Sequence, residues 1–233
     1  MCFSATASFG AGIVLTAIGV ASIKKVQHRS QFLFAAIPLL FAIQQCSEGI
    51  LWLTLPYPEL QYLQKNTTFF FLIFAQIIWP LYVPIAILFL EKEKTRKNIQ
   101  RVMVGVGVLV SGYLTYCLFT YEVHAEIDCY HIAYIQSYPE KFRIWGGLLY
   151  IIATIAPPFF SHIKRMWLLG ITVFISYLIT TLFYENYLVS VWCFFASVIS
   201  ISVWVIMCEI KTATRTAINK NLHHKNNLLK NKS

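Results

Sequence analysis

Apolar residues run through this chain in long blocks with few polar interruptions. Seven runs stand out, at 5–23, 32–55, 67–90, 102–121, 145–161, 166–184 and 187–208, each close to the roughly 20 residues that a helix needs to cross a bilayer core. The fifth is the shortest and carries Gly146-Gly147 and Pro157-Pro158. Proline inside a membrane helix is tolerated where neighbouring helices satisfy the freed carbonyls, so this run counts as a span, with six spans as the alternative. The pattern predicts an all-α, polytopic membrane protein. It would be a seven-transmembrane-helix bundle forming one domain over residues 1–210, with a basic tail over 211–233.

Charge adds an orientation. The segments 24–31, 91–101, 162–165 and 211–233 hold 16 of the 19 Lys and Arg residues, and only Lys65, Lys141 and Arg143 fall on the alternate side. Strict alternation of this kind places the N-terminus outside and the C-terminus in the cytoplasm. Glu59, Glu122, Glu126, Asp128, Glu140 and Glu185 gather on the opposite, outer side. Lys24-Lys25 follows the first apolar run instead of preceding it, the reverse of a cleaved secretory signal.

Composition closes off other classes. Of the 233 residues, 58% are hydrophobic and 12% charged, about half the charged share of a soluble domain. The net charge of +9 reads as orientation. No basic segment comes with a nucleic-acid-binding motif, so the expected partner is the lipid bilayer, together with a small-molecule or ion ligand.

Polar residues inside the spans are the candidates for chemistry. Glu48 is the one acid well inside a span, where an ionisable group costs roughly 2.5–3.5 kcal/mol even on the lenient insertion scale. Gln44, Glu48 and Trp52 follow an i, i+4, i+8 spacing and share a helix face, with Glu48 about 10 Å below the outer surface. Gln76 in the third span lies at similar depth and is followed by Trp79, Pro80 and Pro84. Paired prolines either kink a helix or open its carbonyls to a cavity. Ser8, Gly12, Thr16 and Gly19 form a stripe of small residues suited to close helix packing. Aromatic residues near span ends, such as Trp52, Tyr57, Tyr121, Trp145 and Trp204, read as an interfacial belt.

The longest outer connection holds His124, Asp128 and His131 at i, i+4, i+7. On a helix these would share a face, and two His with a carboxylate form a loose candidate for a divalent metal; the competing reading is a solvated acidic loop. Glu185, Ser190, Trp192 and Cys193 come out on the same side. Among the six Cys, a bridge between two of Cys2, Cys117 and Cys129 is open, while Cys46, Cys193 and Cys208 read as small hydrophobes. The tail at 211–233 mixes six basic residues with leucines and is either lipid-bound or disordered.

The opening Met1-Cys2-Phe3-Ser4-Ala5-Thr6-Ala7-Ser8-Phe9, the run Ala36-Ile37-Pro38-Leu39-Leu40-Phe41, the stretch from Gln44-Gln45 to Glu48-Gly49-Ile50-Leu51-Trp52 and Ser190-Val191-Trp192-Cys193 resemble an uncharacterised family of prokaryotic multi-pass membrane proteins. The resemblance implies a cell (inner) membrane location and supplies no activity. In architecture alone the chain is also similar to the alkaline ceramidase-like and adiponectin-receptor-like membrane hydrolases, which hold zinc with three His. Here the six His lie at positions 28, 124, 131, 162, 223 and 224, and no three share a depth. The leading expectation is therefore a polar pocket in the outer half of the bundle, lined by Glu48, Gln44, Gln76 and Trp52, that serves sensing or transport. The competing expectations are an outward-facing metal-dependent hydrolase at His124, Asp128 and His131, with Glu48 or Glu185 as acid or base, and a structural or assembly subunit.

Overall fold

The computed structural model describes residues 4–128, 130–139, 143–183 and 195–230. Helices dominate: α1 (Ala5–Ile23), α2 (Arg29–Thr54), α3 (Pro58–Leu90) and α4 (Lys94–Thr120) come first. An antiparallel hairpin follows, β1 (Val123–Asp128) with β2 (His131–Gln136). The chain continues with α5 (Arg143–Ile155), α6 (Met166–Phe183) and α7 (Ala196–Lys230).

Among the described residues six helices are long and apolar enough to cross a membrane: α1 to α4, α6, and the Ala196–Thr214 part of α7. The fifth expected span is the exception. α5 has 13 residues, about 20 Å of helix, against a hydrocarbon core of about 30 Å. Pro157 and Pro158 bring no backbone N–H, and the chain turns there through a short 3-10 segment, Pro157–Phe160. α7 is a single helix from Ala196 to Lys230, so residue 211, expected as the start of a tail, falls inside it.

α2 and α3 are the central pair. In each, 56% of the most apolar stretch is buried, against 28% in α1, α4 and α6. The outward faces carry exposed apolar residues such as Ile13, Leu109, Phe119 and Leu182, as lipid contact requires. In lipid, burial of apolar area does not drive helices together; close packing does. α1 shows this directly, because its buried face is Ser8, Gly12, Leu15, Gly19 and Ser22. A Cβ on Gly12 would sit 2.9 Å from Cys46 Sγ, and one on Gly19 2.6 Å from Leu39. The stripe of small residues is thus a packing surface for α2. Thr16 departs from it: it is exposed and donates its hydroxyl to the Gly12 carbonyl.

α3 is irregular in the middle. Residues Ile73–Ile78 form a π turn, in which the Trp79 N–H bonds the Phe74 carbonyl five residues back. In that register the next donor, to Ala75, would come from residue 80, a proline with no N–H. Tyr150 on α5 supplies the missing donor through its hydroxyl. Ser111 on α4 donates to the Ile77 carbonyl at 2.9 Å. Pro84 removes the donor that would meet the Pro80 carbonyl, and α4 comes close at that point: a Cβ on Gly107 would lie 2.1 Å from Pro80 O.

Two packed clusters hold the bundle. The larger joins Leu15, Phe34, Phe41, Trp79, Ile87, Met166 and Ile206, with Phe41 stacked on Trp79 at 4.0 Å. The smaller joins Phe71, Leu72, Leu118 and Val123 and seats the hairpin, whose Tyr134 stacks on Phe71 at 4.6 Å. At the opposite end, the buried carboxylate of Glu91 accepts from the Ser161 hydroxyl and the His162 backbone N–H and meets the His162 ring. Gln100 donates to the Pro157 carbonyl at 2.8 Å. The turn between α5 and α6 is therefore fixed to the ends of α3 and α4.

Gly107→Ala forces a methyl group against a backbone carbonyl that cannot move aside, and overpacking of this kind costs about 1–3 kcal/mol or more. Gly105 on the same helix has open space around it, so Gly105→Ala is expected to be neutral or slightly stabilising. Thermal unfolding of the two variants in one detergent checks the difference; equal midpoints would contradict the close approach of α4 to Pro80.

Candidate functional site

A cavity of about 500 Å³ lies inside the bundle, within the range of small-molecule sites. Its deep wall comes from α2, α3 and α7 through buried residues, among them Phe41, Gln44, Gln76, Trp79 and Ile199. Its accessible side comes from α4, α5 and α6, where Tyr113, Gly147, Tyr150, Val173 and Tyr177 are partly or fully exposed. Among the described residues the lining includes no Asp, Glu, Lys, Arg or His.

Gln76 organises the polar end. It projects from the π turn, donates from Nε2 to Gln136 Oε1 at 2.9 Å, and accepts at Oε1 from the Tyr138 hydroxyl at 2.9 Å. One amide thereby ties α3 to both the last residue of β2 and the segment after it. π turns place side chains that a regular helix would point elsewhere, and they recur at functional positions. Gln44 is fixed differently. Trp79 Nε1 can only donate, and it donates to Gln44 Oε1 at 2.8 Å, which settles the orientation of the amide. Gln44 Nε2 is buried with no hydrogen-bond partner among the described residues, a position that costs about 1–3 kcal/mol unless a polar group meets it.

Burial pushes the Tyr138 hydroxyl up to about 12. It therefore stays a donor across the physiological range. On the hairpin, burial lowers the His131 imidazole below its usual value, and the Asp128 carboxylate opposes this.

The residues expected from the sequence separate into three groups. Gln44 and Gln76 line the cavity. Glu48 and Trp52, expected beside them, do not: Glu48 is fully buried elsewhere along α2, where Gln45 Nε2 approaches its Oε2 at 3.4 Å. The face shared by Gln44, Glu48 and Trp52 runs past the cavity toward the hairpin end, and only its first member reaches the cavity wall. His124, Asp128 and His131 lie on strands, so the helical spacing does not apply. Asp128 pairs directly with His131, while His124 pairs with Ile135, about 13 Å away along the strand. Among the described residues no three His, Cys, Asp or Glu side chains are grouped to hold a metal ion. Cys117 is free, as are Cys46 and Cys208. Cys2, Cys129, Glu185, Ser190, Trp192 and Cys193 lie outside the described residues.

Sequence reasoning missed the phenols. Gly146, Tyr150, Thr154 and Pro158 are four apart, as are Leu169, Val173 and Tyr177, and all line the cavity. Two i, i+4 stripes of this kind on α5 and α6 were legible signals. Gln136 and Tyr138 carry no such mark, because only the hairpin geometry brings them to Gln76. Glu91 was also missed, since its partners are 70 residues away.

Fold and cavity define a multi-pass membrane protein with a partly open internal chamber, lined among the described residues by uncharged side chains. The chain belongs to the family of unknown function DUF6629, whose sequence profile matches residues 1–219. No curated protein and no solved structure matches it.

Tyr138→Phe removes one hydroxyl and leaves Gln76 Oε1 without its donor, an expected loss of about 1 kcal/mol. The folded value near 12 lies above the ordinary 10, so the folded chain keeps this proton longer than the unfolded one. Stability is therefore expected to fall as pH rises from 10 to 12. Absorbance titration checks the assignment: the variant loses one tyrosine that ionises near 12 and none that ionises near 10.

Proposed function

We propose that this protein binds an uncharged small molecule in the chamber between α2, α3, α5 and α6, as a sensor or a transporter. The observation that carries the reading is the lining itself, apolar with amides and phenols and without a charged group among the described residues. Such a wall rewards hydrogen bonding and shape, and it gives an ion no counter-charge to offset its lost hydration. The buried Gln44 Nε2 without a partner supports it, because such donors are rare in native structures and mark a missing acceptor. This narrows the wider expectation of a small molecule or ion.

The same proposal sets the chamber in the membrane. With 16 of 19 Lys and Arg on alternate connections, the hairpin end faces outward and the Glu91–His162 end faces the cytoplasm. α5 then enters as a seventh, partial span from the outer side, and the polar end of the chamber lies in the outer half of the bilayer. A prokaryotic cell membrane is the setting that the opening motif implies.

A thermal-shift screen of uncharged, drug-sized compounds against the full chain in mild detergent tests this. A compound that stabilises the wild type is expected to stabilise Glu48→Gln equally, and to lose at least about tenfold in affinity with Gln76→Leu, since every tenfold is 1.4 kcal/mol and one or two hydrogen bonds are at stake. Loss in Glu48→Gln with retention in Gln76→Leu would move the site back to the membrane acid.

A further inference from the structure

The mutually bonded polar groups of the chamber gather at one end, with Gln44 and Thr154 further along its wall. Gln76, Gln136 and Tyr138 lie at the hairpin end, whereas Ile37, Leu169 and Pro158 lie toward the end where Glu91 meets His162. A ligand that fills such a space carries its polar atoms at one end and hydrocarbon at the other.

The accessible side adds the route. α5 leans on α4 and α3 and barely touches α6, although both helices line the chamber. Their bases are joined through the Pro157–Phe160 turn, and beyond it the two helices pack sparsely against each other. Gly147, on the α5 side, is exposed with nothing within 4 Å of an added Cβ. The neighbouring residues Trp145, Leu148 and Ile152 are exposed apolar groups, the surface of a helix in hydrocarbon. The gap between α5 and α6 therefore opens where lipid tails would be.

From these two observations we infer that the ligand is a membrane-resident neutral amphiphile, a single hydrocarbon chain with a hydroxyl- and carbonyl-bearing head, which enters sideways between α5 and α6. The inference rests on the binding function proposed above and names its ligand class. Tyr138 has given its hydroxyl hydrogen to Gln76, so its oxygen presents lone pairs. Gln76 has used one N–H on Gln136 and keeps a second. An acyl-glycerol type of head, with both O–H donors and a carbonyl acceptor, satisfies both kinds of group. A carboxylate or phosphate head would enter a wall that offers no cation among the described residues.

The test uses the full chain in phosphatidylcholine nanodiscs with three photoactivatable diazirine probes: a monoacylglycerol, the fatty acid of the same chain length, and a short water-soluble diol. Cross-linked residues are mapped by peptide mass spectrometry with and without excess unlabelled monoacylglycerol. The expected result is saturable, competed labelling by the monoacylglycerol at Tyr150, Val173 or Tyr177. Gly147→Trp, which fills the gap from an uncrowded position, is expected to reduce it about tenfold, the scale of a binding loss. Tyr138→Phe is expected to weaken it while keeping the mapped positions. Equal saturation by the fatty acid, or saturation by the diol alone with no effect of Gly147→Trp, overturns the ligand class and route while leaving a binding chamber in place. Labelling that never saturates and stays on exposed residues such as Leu109 overturns both.

Discussion

Pro80 and Pro84 each leave a carbonyl of α3 without its helical donor, and in hydrocarbon no water covers it. Most of the central architecture answers that constraint. The Ala75 carbonyl takes the Tyr150 hydroxyl, which draws α5 in. The Ile77 carbonyl takes Ser111, and the Pro80 carbonyl meets the bare Cα of Gly107, which together draw in α4. The close approach at Gly107 also admits a weak Cα–H contact of the kind seen at helix interfaces. Because the π turn widens α3 just ahead of these prolines, Gln76 is swung to the side that the hairpin covers. The chamber begins where α3 stops being a regular helix, and two of its walls, α4 and α5, are the elements that meet that irregularity.

Charge is used for anchoring. Glu91 is a peg: its two oxygens take a hydroxyl, a backbone N–H and an imidazole from one short stretch, Ser161-His162. This arrangement satisfies a buried carboxylate as burial requires. Glu48 is buried against the Gln45 amide and away from the chamber. Both buried acids lie outside the chamber, whose described lining is neutral despite the +9 charge of the chain. A membrane acid is the usual pointer to function, and here it and the chamber occupy separate parts of α2.

The spans were legible because each is an uninterrupted apolar run, and a bilayer admits little else. The fifth is shorter than its apolar run: the run continues to residue 161, but Pro157 and Pro158 stop the helix at Ile155, which leaves six long spans among the described residues. The hairpin was misread through a choice of period. Val123-His124-Ala125-Glu126-Ile127-Asp128 alternates apolar and polar residues, the period of a strand, and three polar residues at helical spacing distracted from it. Of the site, Gln44 and Gln76 showed themselves as amides amid apolar residues. Tyr113 did not, because tyrosine is ordinary in membrane helices and its burial toward a chamber is set by helix rotation, whereas Tyr150 and Tyr177 were marked only by the i, i+4 stripes they belong to. The Gln76–Gln136 bond spans 60 residues, and no local pattern encodes it.

The two ends of α5 are held with unequal strength, and this follows from what each end meets. At its base the chain is fixed by Gln100 to Pro157, by Arg96 to the Phe160 carbonyl, and by Glu91 to the two residues that follow. Higher up, the Tyr150 hydroxyl ties α5 to the Ala75 carbonyl of α3, and packing against α6 is sparse. The tie at Tyr150 is also part of the chamber wall, so the phenol that supplies the missing donor of the π turn faces the same space as the amide beside it. Gln76, one residue from the carbonyl that Tyr150 holds, carries the hairpin through Gln136 and Tyr138, so α5, α3 and the hairpin meet at two adjacent residues of one irregular turn.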